Sequence, residues 1–260
     1  MTLSEAQATA TILQSAAIRV QNVTKRFGRD GQQTVALRDV SLTVKPSEFL
    51  CVVGRSGCGK STLLNLIADL DRPSEGFIDV GARKVGVMFQ EASLFPWLTV
   101  RGNIDLALKL SGVPKDLRAD RIQELLETVQ LSGMGAKRPH ELSGGMRQRV
   151  ALARTLAQDC EILLMDEPFA SLDAITRDAM HEQTERIWAE RHLTIVFVTH
   201  NVREAARLAN RVIVMKPAPG RIGSQFSIDI PRPRRMEDLS VATSAADLHE
   251  LLQEQEAGHE

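Results

Sequence analysis

Gly54 and Gly59, with four residues between them, are followed at once by Lys60, Ser61 and Thr62, and the run GRSGCGKST comes directly after the apolar stretch Phe49, Leu50, Cys51, Val52 and Val53. Each residue type here has a use in holding phosphate. Glycines let successive backbone N–H groups converge on anionic oxygens, and a helix starting at Lys60 adds the positive end of its dipole. The Lys60 ammonium is of a length to reach β- and γ-phosphate oxygens, and the Ser61 hydroxyl is a ligand for Mg²⁺. Gly54, Arg55, Ser56, Gly57, Cys58, Gly59, Lys60, Ser61 and Thr62 are therefore the expected nucleotide-binding loop. A Gly-rich turn with no ligand is the bland alternative, disfavoured by the full pattern and by its place between a strand and a helix.

Two further clusters could act on the bound phosphates. The apolar run Ile162, Leu163, Leu164 and Met165 ends in Asp166 and Glu167. Adjacent residues of a strand face opposite ways, so Asp166 can serve the Mg²⁺ shell while Glu167 points toward a water attacking the γ-phosphate; an isolated pair would read as two solvated strand-end acids, a reading disfavoured beside the full phosphate loop. Leu142, Ser143, Gly144, Gly145 and Met146 open the helical pattern RQRVALARTLA. Alone, such a segment is equally well a helix N-cap with two glycines behind it.

The elements that must position these groups follow from periodicity. Ile18, Val20 and Val23, then Leu42 and Val44, have the spacing of early strands. FLCVV reads as a buried strand feeding the helix KSTLLNLIADL, and KVGVMFQ reads as another strand. NIDLALKL, RADRIQELLETVQL and SGGMRQRVALARTLAQ repeat apolar residues every three or four positions, as helices do. EILLMD, LTIVFVTH and RVIVMK return to strand character, with a helix over 175–191, and RIGSQFSIDI alternates to close the series. Strands alternating with helices predict an α/β fold with a mostly parallel sheet covered on both faces. Residues 1–17 read as a loose polar arm. The tail beyond residue 231 carries RPRR, expected to be a solvated charge cluster, and ends in an acidic helical segment.

The chain has 260 residues, 43% of them hydrophobic, enough for a large core. Its net charge of −1 gives no basic excess for binding nucleic acid. Cys51, Cys58 and Cys160 are odd in number with no C-x-x-C spacing, which suggests a reducing cytosol. Neither a signal peptide nor a spanning helix is expected, so any membrane role would be that of a peripheral partner.

With GRSGCGKST, LSGG and LLMDE in this order, the chain resembles the nucleotide-binding subunit of ABC transporters over about residues 18–232. The resemblance implies a P-loop NTPase cassette: a core over 18–90 and 161–232 with a mostly parallel sheet and an antiparallel β region, a helical subdomain inserted over 91–160, and a separate tail over 233–260. It implies that Gln90, after KVGVMF, is the Q-loop residue at the metal and attacking water. It also implies that Ser171, Leu172 and Asp173 form the D-loop at the nucleotide and that His200 is the switch histidine. ATP and Mg²⁺ are the implied ligands, with Ser61, Gln90 and Asp166 toward the metal and Glu167, Gln90 and His200 catalytic. The implied assembly is a head-to-tail dimer in which Ser143, Gly144 and Gly145 of one copy bind the γ-phosphate held by the other.

Met146 stands where the family most often has glutamine, which leaves the Ser and Gly donors intact. The chain has no tyrosine, and Phe27 takes the place of the aromatic that stacks on adenine; packing on the neighbouring strand is its other reading. Phe95, Pro96, Trp97 and Leu98 form an apolar run that either docks a partner or is buried against the chain's own helices. In the family this face receives integral membrane permease subunits, served indirectly by a solute-binding protein, at the cytoplasmic face of the membrane. LFPWLTVRGNI, SLDAITR and KPAPGRI are most similar to the importer subgroup for nitrate, sulfonate and taurine. The alternative, a soluble ABC ATPase acting on nucleic acid or ribosomes, usually has tandem cassettes or long coiled coils, and neither is seen here.

Overall fold

The computed structural model describes residues 16–28 and 33–257, so the arm expected over residues 1–17 lies outside it except for Ala16 and Ala17. Ala17 is fully buried and its N–H donates to Val44 O at 2.8 Å. In chain order the elements are β1 (Ile18–Phe27), β2 (Thr34–Val44), β3 (Phe49–Val53), α1 (Lys60–Ile67), β4 (Glu75–Asp79), β5 (Val85–Met88), α2 (Val100–Leu110), α3 (Arg118–Thr128) and, after a 3₁₀ turn at Pro139–Glu141, α4 (Gly144–Leu156). They continue with β6 (Ile162–Asp166), α5 (Ala174–Arg191), β7 (Thr194–Val198), α6 (Val202–Leu208), β8 (Arg211–Lys216), β9 (Arg221–Ser227) and α7 (Leu239–Ala257). Two compact units result: one from the described residues up to Arg83 together with those from Thr194 onward, the other from Lys84–Leu193.

The first unit contains an antiparallel sheet in the order β2-β1-β4 and a second group of strands in the order β7-β3-β8-β9. In that group β3 runs parallel to β7 on one side and to β8 on the other, while β9 returns antiparallel to β8. Every residue of β3 and of β7 is buried. Their uninterrupted runs FLCVV and TIVFV suit strands covered on both faces, where alternation would place polar groups in the core. Phe49 and Phe197 meet between the two strands with ring centroids 6.0 Å apart. The helix after β3 buries Leu63, Leu64, Leu66 and Ile67, so the phosphate-loop segment runs between two elements anchored in the same core.

The second unit pairs β5 with β6 in parallel and carries α2, α3, α4 and α5. Thr99 caps α2, its Oγ1 accepting from Gly102 N at 3.1 Å, so the helix begins three residues before the periodic stretch starting at Asn103.

Two segments differ from expectation. β4 was not anticipated, because EGFID is mostly exposed and shows no alternation. The run 232–235 is not a solvated charge cluster: Arg235 is exposed, but Arg234 is only 3% exposed and donates to main-chain carbonyls. Beyond it, α7 buries Val241, Ala245 and Leu248. Among the described residues no helix is long and apolar enough to cross a membrane.

Candidate functional site

In the first unit the loop 54–59 leads from β3 into α1. At two of its positions a side chain cannot fit: a Cβ at Gly54 would lie 2.7 Å from Cys58 Sγ and 2.8 Å from Met215 O, and one at Gly59 would lie 2.6 Å from Leu37 Cδ2. Gly59 is also the α1 N-cap at φ 93°, in the left-handed region that glycine alone adopts without cost. A glycine cap has no side chain to occupy the first-turn N–H groups, and no acid lies in that turn, so the helix start is suited to an external anion. Lys60 is 6% exposed, and its Nζ donates to Gly54 O at 2.7 Å and Arg55 O at 3.0 Å, which holds the ammonium at the loop. Arg55, Ser56, Gly57 and Ser61 are exposed and Thr62 is half-buried. Cys58 is buried; burial pushes its thiol up, with Lys60 pulling the other way, so it acts as a small neutral filler.

Phe27 ends β1 and is 46% exposed. Lys25 Nζ lies 4.9 Å from its ring centroid and is pinned by Asp71 Oδ1 at 2.6 Å and Arg72 O at 2.8 Å. The ring is thus half-exposed and has a cation beside it. His200 is exposed just after β7, following the buried Thr199.

The second unit gathers the remaining residues. Gln90 is exposed two positions after β5, and its carbonyl accepts from Gln148 Nε2 of α4 at 2.6 Å. Arg154 of the same helix donates to Ser93 O at 2.7 Å and Ala92 O at 3.0 Å. β6 ends at Asp166, and Glu167 turns away from it at φ 45°. A non-glycine residue in that region is strained, and both carboxylates at this turn are half-buried.

Ser143 caps α4, its Oγ accepting from Met146 N at 3.3 Å; the main chain of residue 146 makes this contact, so methionine there leaves the cap intact. Asp173 caps α5, its Oδ1 accepting from Thr176 N at 2.9 Å and its Oδ2 from Thr176 Oγ1 at 2.7 Å. Those bonds hold its carboxyl below the usual range. The two helix starts meet: a Cβ at Gly145 would lie 2.2 Å from Thr176 Cγ2, and one at Gly144 would lie 3.6 Å from Leu172 Cδ2. Gln90, Ser93, Gly144, Gln148 and Ser171 share a cavity of about 540 Å³, so this unit brings the Q-loop, LSGG and SLD segments to one place. Gln148 and Arg154, which tether residues 90–93, escape sequence reasoning. Their only signal is polarity within an apolar-facing helix, and Gln148 is 3% exposed.

A family model described as ABC transporter matches residues 37–170. The aliphatic sulfonates import ATP-binding protein SsuB of Bacillus licheniformis is 47% identical over 229 residues, covering 85% of this chain and 87% of that protein. The nitrate import ATP-binding protein NrtD of Synechocystis is 42% identical over 221 residues, 82% and 83% of the two chains. Among solved structures, the dimeric post-hydrolysis ATP-binding cassette MJ0796 bound to ADP and Pi superposes with a TM-score of 0.71 at 31% identity, covering 82% of this chain and all of that one. With the phosphate loop between β3 and α1, the acidic end of β6 and the Ser143-capped helix all inside the aligned region, the chain belongs to the ABC transporter family.

Proposed function

We propose that this chain is the ATP-hydrolysing subunit of a membrane importer for a small solute of the nitrate, sulfonate or taurine type. The observation that carries the reading is the phosphate loop: a full GxxxxGKS pattern folded as strand, loop and side-chain-uncapped helix start, with Lys60 held at it. The names of relatives at 42–47% identity support the solute class. Two copies arranged head to tail would sit on permease subunits at the cytoplasmic face, with a solute-binding protein as an indirect partner. The dimeric cassette of similar fold supports the pairing.

In this reading the N–H groups of 54–62 and the Lys60 ammonium bind the β- and γ-phosphates of ATP. Mg²⁺, when bound, neutralises charge on those oxygens; Ser61, Asp166 and Gln90 are the residues whose oxygens suit it. Glu167 orients the attacking water and accepts its proton. His200 donates to the γ-phosphate, and Gln90 holds the water from the other side. Ser143, Gly144 and Gly145 present a helix start to the γ-phosphate of the facing copy, while the Asp173 cap fixes the 171–173 turn beside them. Phe27 stacks on adenine with Lys25 behind the ring. Phe95 and Trp97, with ring centroids 5.4 Å apart and Trp97 68% exposed, form the apolar docking face for the permease. Asn103 braces that face by accepting from Phe95 N at 2.9 Å and donating to Phe95 O at 3.3 Å.

The test is steady-state ATP hydrolysis by the purified chain. Glu167→Gln should lower turnover by about a hundredfold or more with ATP affinity nearly unchanged, since the carboxylate acts mainly in the transition state. It should also trap an ATP-dependent dimer on size exclusion. Near-parent hydrolysis in this variant refutes the role.

A further inference from the structure

We infer that Arg234 is a positioning residue for His200: it fastens helix α6 from the C-terminal segment and, through α6, holds the switch-histidine loop in place for hydrolysis. This rests on the ATPase reading of His200 and adds to it a dependence on residues 228–234, close to the C-terminal limit of the cassette.

The helix after His200 has only seven residues, too few to be stable by its own hydrogen bonds, so its position is set by what grips its two ends. At the start, Thr199 Oγ1 donates to Glu204 Oε2 at 2.5 Å and accepts from Asn201 N at 3.0 Å. Asn201 Oδ1 accepts from Arg203 N at 3.0 Å. The residues on both sides of His200 are thereby bonded to the first turns of α6. Thr199 and Glu204 are 3% and 6% exposed, so no solvent competes for that bond.

At the other end a guanidinium takes the place of a C-cap. Arg234 Nη1 donates to Ala206 O at 3.1 Å, Arg207 O at 3.2 Å and Ala209 O at 2.7 Å. Its Nε and Nη2 donate to Ile230 O at 2.9 Å and Ile228 O at 3.2 Å, which ties the same side chain to the segment leaving β9. Arg207 Nε returns a bond to Arg234 O at 3.2 Å, and Arg232 Nη2 donates to Leu208 O. The last carbonyls of a helix lack partners within it and carry the negative end of its dipole, so a buried cation there satisfies both needs. A planar fork with five donors can hold five carbonyls together; a lysine ammonium, with three donors at one point, cannot. The helix that carries this cluster, α6, packs against β3, the phosphate-loop strand.

Two measurements on the full chain test this. Amide exchange comes first, because it reads position without requiring activity. In Arg234→Lys the peptide spanning residues 199–205 should exchange roughly tenfold faster than in the parent, while peptides from β3 and α1 stay protected. Faster exchange confined to 206–234 would overturn the inference. The second is a kinetic cycle. Arg234→Lys should lower kcat about tenfold with KM for ATP within about twofold, and in a His200→Ala background it should cost nothing further. An independent, additive loss in that background would show Arg234 to be structural only. If Arg234→Lys fails to fold, Thr199→Val cuts the same path from the other end without touching the tail. It should reproduce the kcat loss and its absence in the His200→Ala background, and parent-like kcat there overturns the proposal. A chain that hydrolyses no ATP would refute the ATPase reading and leave the exchange result to decide this one.

Discussion

Replacing Gly145 by alanine would place a methyl carbon 2.2 Å from Thr176 Cγ2, far inside van der Waals contact. Thr176 cannot swing aside freely, since its N–H and Oγ1 both donate to Asp173 at 2.9 and 2.7 Å. The strain therefore falls on the crossing of α4 with α5. Overpacking of one methyl costs about 1–3 kcal/mol, and alanine returns at most about 1 kcal/mol of helix propensity. A net loss of about 1–2 kcal/mol follows, and a melting temperature lower by roughly 2–8 °C for a chain of this size. Thr176→Ser keeps both bonds to Asp173 and deletes the clashing methyl, so it should restore most of the stability in the Gly145→Ala background while doing little alone. Thermal melts of the four proteins complete the cycle, with ATP turnover measured alongside because residues 143–145 are proposed to meet the γ-phosphate. Gly145→Ala as stable as the parent, or a loss that Thr176→Ser leaves untouched, would refute the reasoning.

Phe27→Ala should weaken ATP binding by on the order of 1–3 kcal/mol and leave saturated turnover nearly unchanged, as nucleotide titration and kcat would show. Because stacking reads a flat face, GTP should bind the parent within roughly tenfold of ATP in the same titration. Trp97→Ala should reduce co-purification with the permease subunits while moving the melting temperature little, since the ring is largely exposed. Asp173 has its carboxyl held below the ordinary range in the folded chain, so its stabilising bonds are complete at neutral pH and lost as pH falls through the lowered value. The acid limb of a stability profile should accordingly be shallower in Asp173→Asn.

The phosphate loop, the acidic end of β6 and the buried parallel strands were legible because each is fixed by local chemistry. Residues that must be glycine, or apolar on both faces, announce it in the run itself. Asp173 was expected at the nucleotide, and the structure places both its oxygens on Thr176 as the cap of α5, a role that no local pattern separates from that of a ligand. Arg234 was misread because its burial depends on carbonyls of Ala206, Arg207 and Ala209, which come together only when α6 and the segment after β9 have folded against each other. No local pattern separates an arginine that caps a distant helix from one in water. The short exposed strand β4 and the Lys25–Phe27 contact were hidden likewise, the first lacking a buried face and the second depending on where Asp71 and Arg72 hold the lysine.

The strand that carries the phosphate loop has a further consequence during synthesis. Both neighbours of β3, the strands β7 and β8, are encoded after residue 193. Phe49–Val53 therefore emerges as an uncharged, fully apolar strand with two open edges, and stays so until the whole of Lys84–Leu193 has been made. A segment of that kind is a template for pairing between chains, and pairing across so long an interval is slow. The helical and β5–β6 unit, contiguous in sequence, can reach its own fold first. The expected order of folding thus runs from the middle of the chain outward, with aggregation of the nascent chain expected to be greatest while this five-residue strand is unpaired.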